Sequence, residues 1–400
     1  MKRPQIAAVV TEYRRYSHAQ HILDRFLWGY GFNGRHHRPA MDLVALYTDQ
    51  VPESDLSRER AKAFPSMRIY PTIAEALTRG GEKLAVDGVL LIGEHGRYPQ
   101  NEKGQRLYPR YEFFQKIVDV FRDSGRSVPV FNDKHLSWNW DWANEMVATS
   151  KDLDFAFLAG SSLPVTRRMP AIDMPLGAEI EEALCLAVGG VDGYDIHALE
   201  AIQCMVERRR GGETGVVQMH AVIDDAVWTA MKAGSWDAGG WDPRLFEACL
   251  CRSQKLTPAR EGFNHILPTP EQIPALVKKP ERPICYRYQH ADGVKVTMLL
   301  MEGLVHDFTF AARLKGRREP LSTHFHLPPR EVCNFFSPLT HHVERLFQTG
   351  KSPIPIQRTL LTTGLTAAGV ESLWLGQKAI KTSHLDVEYQ PSGQSTFWKS

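Results

Sequence analysis

Four short runs in the first third of the chain, "IAAVV", "MDLVALYTD", "DGVLLIG" and "VPVFND", are apolar almost without interruption, and amphipathic stretches such as "AQHILDRFL", "TIAEALTRG" and "RYEFFQKIVDVFRDSG" separate them. A strand with one wet face alternates apolar with polar residues, whereas a continuously apolar run is dry on both faces and belongs in a parallel sheet covered by helices. The order predicts a doubly wound βαβα domain over residues 1–155, with right-handed crossovers. Ligands of such sheets sit at the carboxyl ends of the strands. Those ends carry Thr11 to Arg15 after the first run, Asp49 after the second, Glu94 and His95 in "GEHGRYP", and Asn132, Asp133, Lys134 and His135 in "NDKHL". The polar and aromatic connection "WGYGFNGRHHRPA", residues 28–40, reads as a rim or lid, or simply as a solvated loop.

Beyond about residue 155 the texture changes to longer alternating runs, such as "KVTMLLMEGLVHDFTFAARL" and "VCNFFSP", between Pro- and Gly-rich turns. This predicts a second α+β domain over residues 156–400 with a large open, mostly antiparallel sheet. The helix signal "RTLLTTGLTAAGVESLWLGQ", residues 358–378, packs back across the molecule. A length of 400 residues, 43% hydrophobic, suits two soluble domains. The 48 basic and 46 acidic residues leave a formal charge of +2, which argues against nucleic acid or an anionic membrane as partner. No stretch approaches the roughly 20 apolar residues of a spanning helix, and a cytoplasmic location is expected. The six cysteines contain no Cys-x-x-Cys pair and read as reduced core thiols.

Several titratable groups fall where chemistry is expected. A lysine at a strand end facing a crevice, Lys134, can give or take a proton once burial lowers its pKa; an exposed lysine is the plain alternative. In "GGVDGYDIHALEAI", Asp195 and His197 share a face if extended, and His197 and Glu200 share one if helical. Either arrangement gathers carboxylates around one imidazole, which tunes a base or binds a metal. A divalent metal such as zinc or manganese has Asp195, His197, His220, His324 and His326 as candidate ligands, since the His-x-His of "THFH" points both rings one way on a strand; such spacing also arises by chance in sheets. The tryptophans of "LSWNWDW" and "GSWDAGGWDP" offer flat faces to sugar rings or fill the core.

Taken together, "YRRYSHAQHIL", "IYPTIAEAL…DGVLLIGEH", "GRSVPVFNDKHLSWNWDWANEMV", "DGYDIHALEAIQCMV" and "RTLLTTGLTAAGVESLWLGQK" resemble the Gfo/Idh/MocA oxidoreductases over nearly the whole chain. That resemblance implies an N-terminal Rossmann domain for NAD or NADP, a C-terminal open-sheet domain, a sugar or polyol substrate, and by analogy a homo-oligomer formed through the open sheet. It implies cofactor contacts from Thr11, Glu12, Arg14, Arg15, Asp49, Glu94 and His95. The Glu-Lys-Pro motif of the family corresponds to Asp133, Lys134 and His135, with Asn132 beside them and Glu200 as a further substrate contact. His197 is the counterpart of the histidine that forms an acid-base pair with an aspartate, here either Asp192 or Asp195.

The resemblance breaks at the first turn. Glycines there permit a tight bend and let backbone amides approach a pyrophosphate, but the three glycine positions are Val10, Glu12 and Arg15. Glu12 brings a carboxylate towards two phosphates, and Arg14 and Arg15 are the groups that could compensate, when they are not plain surface arginines. Two functions follow from the sequence: an NAD(P)-linked oxidoreductase acting on a sugar or polyol, or a non-redox lyase, hydratase, epimerase or glycosidase that has lost ordinary nucleotide binding.

Overall fold

A computed structural model describes residues 3–254, 256, 267–277, 282–328 and 333–399. The N-terminal half runs β1 (Gln5–Val10), α1 (His18–Trp28), β2 (Tyr30–Phe32), β3 (Arg35–His37), β4 (Asp42–Thr48), α2 (Ser57–Ala63) and β5 (Arg68–Ile69). It continues through α3 (Ile73–Thr78), β6 (Gly88–Ile92), α4 (Arg110–Ser124), β7 (Val130–Asp133), α5 (Trp140–Asp152) and β8 (Phe157–Gly160). The predicted sheet is present, with six strands in the order β5-β4-β1-β6-β7-β8 and parallel pairing throughout. Its middle strands are dry on both faces, as the unbroken apolar runs require: five of the six residues of β1 and all five of β6 are buried.

The helices carry their own signals. Ser17 caps α1 by accepting the Gln20 amide, and Ala19, Ile22, Leu23 and Phe26 form its buried stripe. Asn139 caps α5 through the Trp142 amide. Gly125, in the left-handed conformation, ends α4.

The second half runs β9 (Arg168–Met169), β10 (Ile180–Ala187), α6 (Asp195–Val206), β11 (Glu213–Thr214), β12 (Val216–Ile223), α7 (Asp225–Ala233), α8 (Pro243–Arg252) and α9 (Ile273–Leu276). It ends with β13 (Ile284–His290), β14 (Lys295–Leu300), β15 (Phe308–Leu314), β16 (Leu321–Phe325), α10 (Phe336–Thr349), α11 (Ile356–Trp374), β17 (Ile380–Lys381) and β18 (Glu388–Tyr389). Eight strands form an open sheet in the order β17-β12-β13-β14-β10-β15-β16-β9. All pairs in it are antiparallel except β10 with β14.

Two features differ from the pattern-based reading. Of the stretch "VCNFFSP", the described residues 333–338 lead into α10, not into a strand, and α10 packs on α1 of the first domain. Segment 28–40 is a small hairpin, β2 with β3, held against α10 by His37 and Tyr30 on Glu344; it borders α10 and Trp398. One face of the large sheet carries α7, α8 and α9 over a core of Leu184, Leu186, Cys285, Leu299 and Ala311. The opposite face packs on α6 and α11. No described helix is long and apolar enough to cross a membrane.

Helix α11 is the bracket between the halves, touching α5 and β8 on one side and α6 and β12 on the other. Its glycines make room for that. A Cβ at Gly369 would lie 2.2 Å from the Tyr286 ring, and Tyr286 is fully buried. Gly369→Ala therefore destabilises the protein by about 1–3 kcal/mol through overpacking, read as a lowered denaturation midpoint by circular dichroism.

Candidate functional site

The carboxyl ends of β1, β6 and β7 and the start of α6 converge. Glu94 follows β6 and is buried; Lys134, also buried, follows β7, with its Nζ 3.0 Å from Glu94 Oε1 and 3.2 Å from the Gly193 carbonyl. Arg110, at the first position of α4 and without solvent exposure, binds the other oxygen of Glu94. Gly93 makes this approach possible, since a Cβ there would sit 2.6 Å from Arg110 Cγ. Burial raises the Glu94 carboxyl, but Lys134 and Arg110 outweigh burial and hold it well below the usual range. Thr11 steadies the same loop by donating its hydroxyl to the Glu94 carbonyl at 2.7 Å.

Around this ion cluster stand imidazoles. His18, the first residue of α1, places Nδ1 2.7 Å from Asp133 Oδ2; its ring centroid is 5.2 Å from that of His95 and 6.4 Å from that of His197. Phe336 and Tyr194 pack against His18 and His197. Burial lowers His95 to about 3, assisted by His18. His197 is lowered well below its usual value by burial and then by Lys134 and His18, and His135 by burial and then by Arg110. These three rings are neutral at pH 7.

On the α6 side, Asp195 is buried and accepts from Tyr286 OH at 3.2 Å and from the amides of Asp192 and Ile196. Asp192 accepts the Arg106 amide at 2.6 Å, and burial pushes its carboxyl up to about 7. His95, Lys134 and Asp192 all have left-handed backbones, at φ 73°, 58° and 59°. Non-glycine residues take that conformation at a cost, and such strain gathers at functional sites.

Among the described residues, Asn132 Oδ1, Asp133 Oδ1, His95 Nε2 and His197 Nδ1 are buried polar atoms without a hydrogen-bond partner in the protein. Buried polar groups are otherwise almost always paired. These four atoms belong to the strand ends and helix start that carry the ion cluster.

The sequence-derived candidates divide clearly. Glu94, His95, Asn132, Asp133, Lys134, His135, Asp192, Asp195 and His197 come together. Residues 195–206 are helical, so Asp195 and His197 do not share an extended face. Glu200 points away, accepting the Ser161 amide at 2.5 Å and lying 2.9 Å from Thr359 Oγ1. The metal candidates are scattered: His220 on β12 meets the Gln377 carbonyl, and His324 on β16 meets Asp307. Five strand spacings, about 24 Å, separate β12 from β16. Among the described residues no three His, Cys, Asp or Glu side chains are grouped as metal ligands.

His18, Arg110 and Tyr286 were not read from sequence. His18 had a usable signal, as the first helical residue after a strand end. Arg110 and Tyr286 had none, because each reaches the site only through tertiary packing.

No family model and no curated protein matches the chain. Solved structures do. The myo-inositol dehydrogenase of Lactobacillus casei, in complex with NAD(H) and myo-inositol, aligns with a TM-score of 0.56 at 11% identity over 96% of this chain and 97% of that one. The fold is that of this dehydrogenase. GenD2 from gentamicin A biosynthesis, in complex with NAD, gives 0.57 at 11% identity over 96% and 97% of the two chains. A probable dehydrogenase of Thermotoga maritima gives 0.56 at 12% over 95% and 99%. The two-domain fold is thus shared with these proteins over almost the whole chain, while about nine residues in ten differ.

Glu200 makes a structural test of this geometry. Burial raises its carboxyl from the usual 4.5 to about 7. The folded chain then holds a proton between those values that the unfolded chain has lost, so this group's contribution to stability falls as pH rises from about 4.5 to about 7. Glu200→Gln, which can still accept from Ser161 and can donate to Thr359, removes that loss. The variant should gain on wild type between pH 5 and pH 8 by up to on the order of 3 kcal/mol, measured by denaturant unfolding at both pH values.

Proposed function

We propose that the chain is an oxidoreductase acting at a CH–OH carbon of a sugar- or polyol-like small molecule, with Lys134 and His197 facing the substrate hydroxyl. The observation that carries this reading is the cleft itself, where a buried ammonium, neutral imidazoles and unpaired amide and carboxylate oxygens lie together at the strand ends. A polyhydroxylated ligand supplies both donors and acceptors to such a surface. The dehydrogenase neighbours, one of them holding myo-inositol, support the same substrate class.

In this reading Lys134 donates to the substrate oxygen and holds the negative charge that develops as its proton leaves, while Glu94 and Arg110 fix the position of the ammonium. His197, kept neutral, accepts a hydrogen bond. Asp192, raised to about 7 by burial on the turn whose Gly193 carbonyl touches Lys134, is in this reading the base on which the hydroxyl proton ends.

NAD or NADP would supply the hydride acceptor. The residues present do not fit its usual extended pose. Glu12 keeps a buried carboxylate in the turn, and both oxygens of Asp49 accept tyrosine hydroxyls. No step is therefore assigned to it. That misfit favours a second reading, in which the same groups carry out a non-redox proton transfer on the same substrate class.

A panel of polyols and sugars assayed with NAD+ and NADP+ by nicotinamide absorbance tests the first reading; product formation without a change in nicotinamide supports the second. Lys134→Met should lower kcat/KM by about 10²–10⁴. In the oxidative direction the rate should rise with pH through about 7 as Asp192 loses its proton, and Asp192→Asn should abolish that limb.

A further inference from the structure

In sheets of this type a dinucleotide lies along the strand ends, with its pyrophosphate at the first helix N-terminus and its ribose hydroxyls on the acid that ends the second principal strand. Here each of those places is taken. At the end of β4, Asp49 Oδ1 accepts from Tyr47 OH at 2.9 Å and Oδ2 from Tyr98 OH at 2.7 Å. In the turn after β1, Glu12 is 5% exposed and paired with Arg14. Tyr13 is fully buried, with its hydroxyl on Asp24, and anchors the turn in the core. The amides entering α1 are used locally: Gln20 N–H on Ser17 Oγ, and Tyr16 N–H on Gln20 Oε1.

Two further segments close over this floor. The Gln50 amide donates to the Thr11 carbonyl and the Leu56 amide to the Tyr13 carbonyl, both at 2.7 Å. The Arg97 amide donates to Gln50 Oε1 at 2.9 Å, and Gln50 Nε2 returns a bond to the Arg97 carbonyl at 3.1 Å. The chain from Gly96 to Tyr98 is thereby laid across the end of β4.

We propose that the adenylate half of the groove is filled by the chain's own imitation of its ligand. The Glu12 carboxylate stands in for the pyrophosphate charge and the hydroxyls of Tyr47 and Tyr98 for those of the ribose, so a dinucleotide enters only when residues 96–98 release Asp49 and Gln50. This rests on the redox reading and states what that reading demands of the protein. Removing the stand-ins has a defined effect. Without the Glu12 carboxylate the Arg14 guanidinium is freed for phosphate, and without the Tyr98 ring one oxygen of Asp49 is freed for a ribose hydroxyl.

The test is a calorimetric titration of NADH and NADPH into the full-length protein and into Glu12→Gly, Tyr98→Ala and the double variant, each checked for an unchanged near-ultraviolet dichroism spectrum. The expected result is wild-type binding at a Kd of about 1 mM or weaker, tightening at least about tenfold in the double variant. Wild-type binding that neither substitution strengthens overturns the self-filled groove and leaves the oxidoreductase reading standing. Binding by none of the four proteins at millimolar ligand overturns both. A nicotinamide absorbance change with substrate in wild type that the double variant reaches at a lower dinucleotide concentration supports both.

Discussion

The buried carboxylate of Glu94, shared between Lys134 and Arg110, is the interaction on which the cleft depends. Taking three charges out of solvent is expensive, and removing one partner of a buried pair costs about 3–5 kcal/mol because the other is left uncompensated. Arg110 opens α4, Glu94 follows β6 and Lys134 follows β7, so the cluster also fixes how these elements meet. Its positive members act on the surrounding rings. Lys134 or Arg110 is among the causes that hold His95, His135 and His197 unprotonated. Burial is the first cause of the neutral imidazoles around this ammonium; the two cations add to it, and the Glu94 carboxylate opposes it.

The elements were legible in the sequence where a local rule produces them. Unbroken apolar runs gave the parallel strands, and amphipathic stretches such as "AQHILDRFL" and "RYEFFQKIVDVFRDSG" gave the helices between them. Lys134, Asp133, Glu94 and His95 could be placed because a strand end is a local feature and its meaning in a doubly wound sheet is general. His197 and Asp195 were found as residues but not as a geometry, since "DGYDIHALEAI" fits either conformation until α11 and β13 are packed against it. The stretch "VCNFFSP" shows the opposite failure. Its alternation is compatible with a strand, but Phe336 and the residues after it bury against α1, and tertiary packing decided for a helix. Arg110 and Tyr286 lie 16 and 91 positions from the carboxylates they contact, and no sequence period connects such pairs. Glu200 was drawn into the site by helical spacing from His197, but Ser161 and Thr359 hold it on the far side.

The first turn shows how a fold can persist while a motif inside it is rebuilt. A glycine turn stays thin so that a ligand can lie on it. Here the turn is thick: Tyr13 extends below it into the core, Glu12 and Arg14 pair within it, and neighbouring loops hydrogen-bond across it. The strand order and the helix that follows are unaffected, because they depend on the buried stripes of β1 and α1 and not on the residues between them.

Helix α11 has a consequence for how the molecule comes apart. Its threonines, Thr362, Thr363 and Thr366, turn their hydroxyls back onto the preceding helical turn, which leaves its flanks apolar towards both halves. A single hydrophobic cluster accordingly runs from Val89 and Phe114 in the first sheet through Leu361 and Leu365 to Met298 and Phe310 in the second. Neither half can unfold without stripping the other of part of its interior. The two large sheets belong to one cooperative unit, and denaturant should meet them in a single transition.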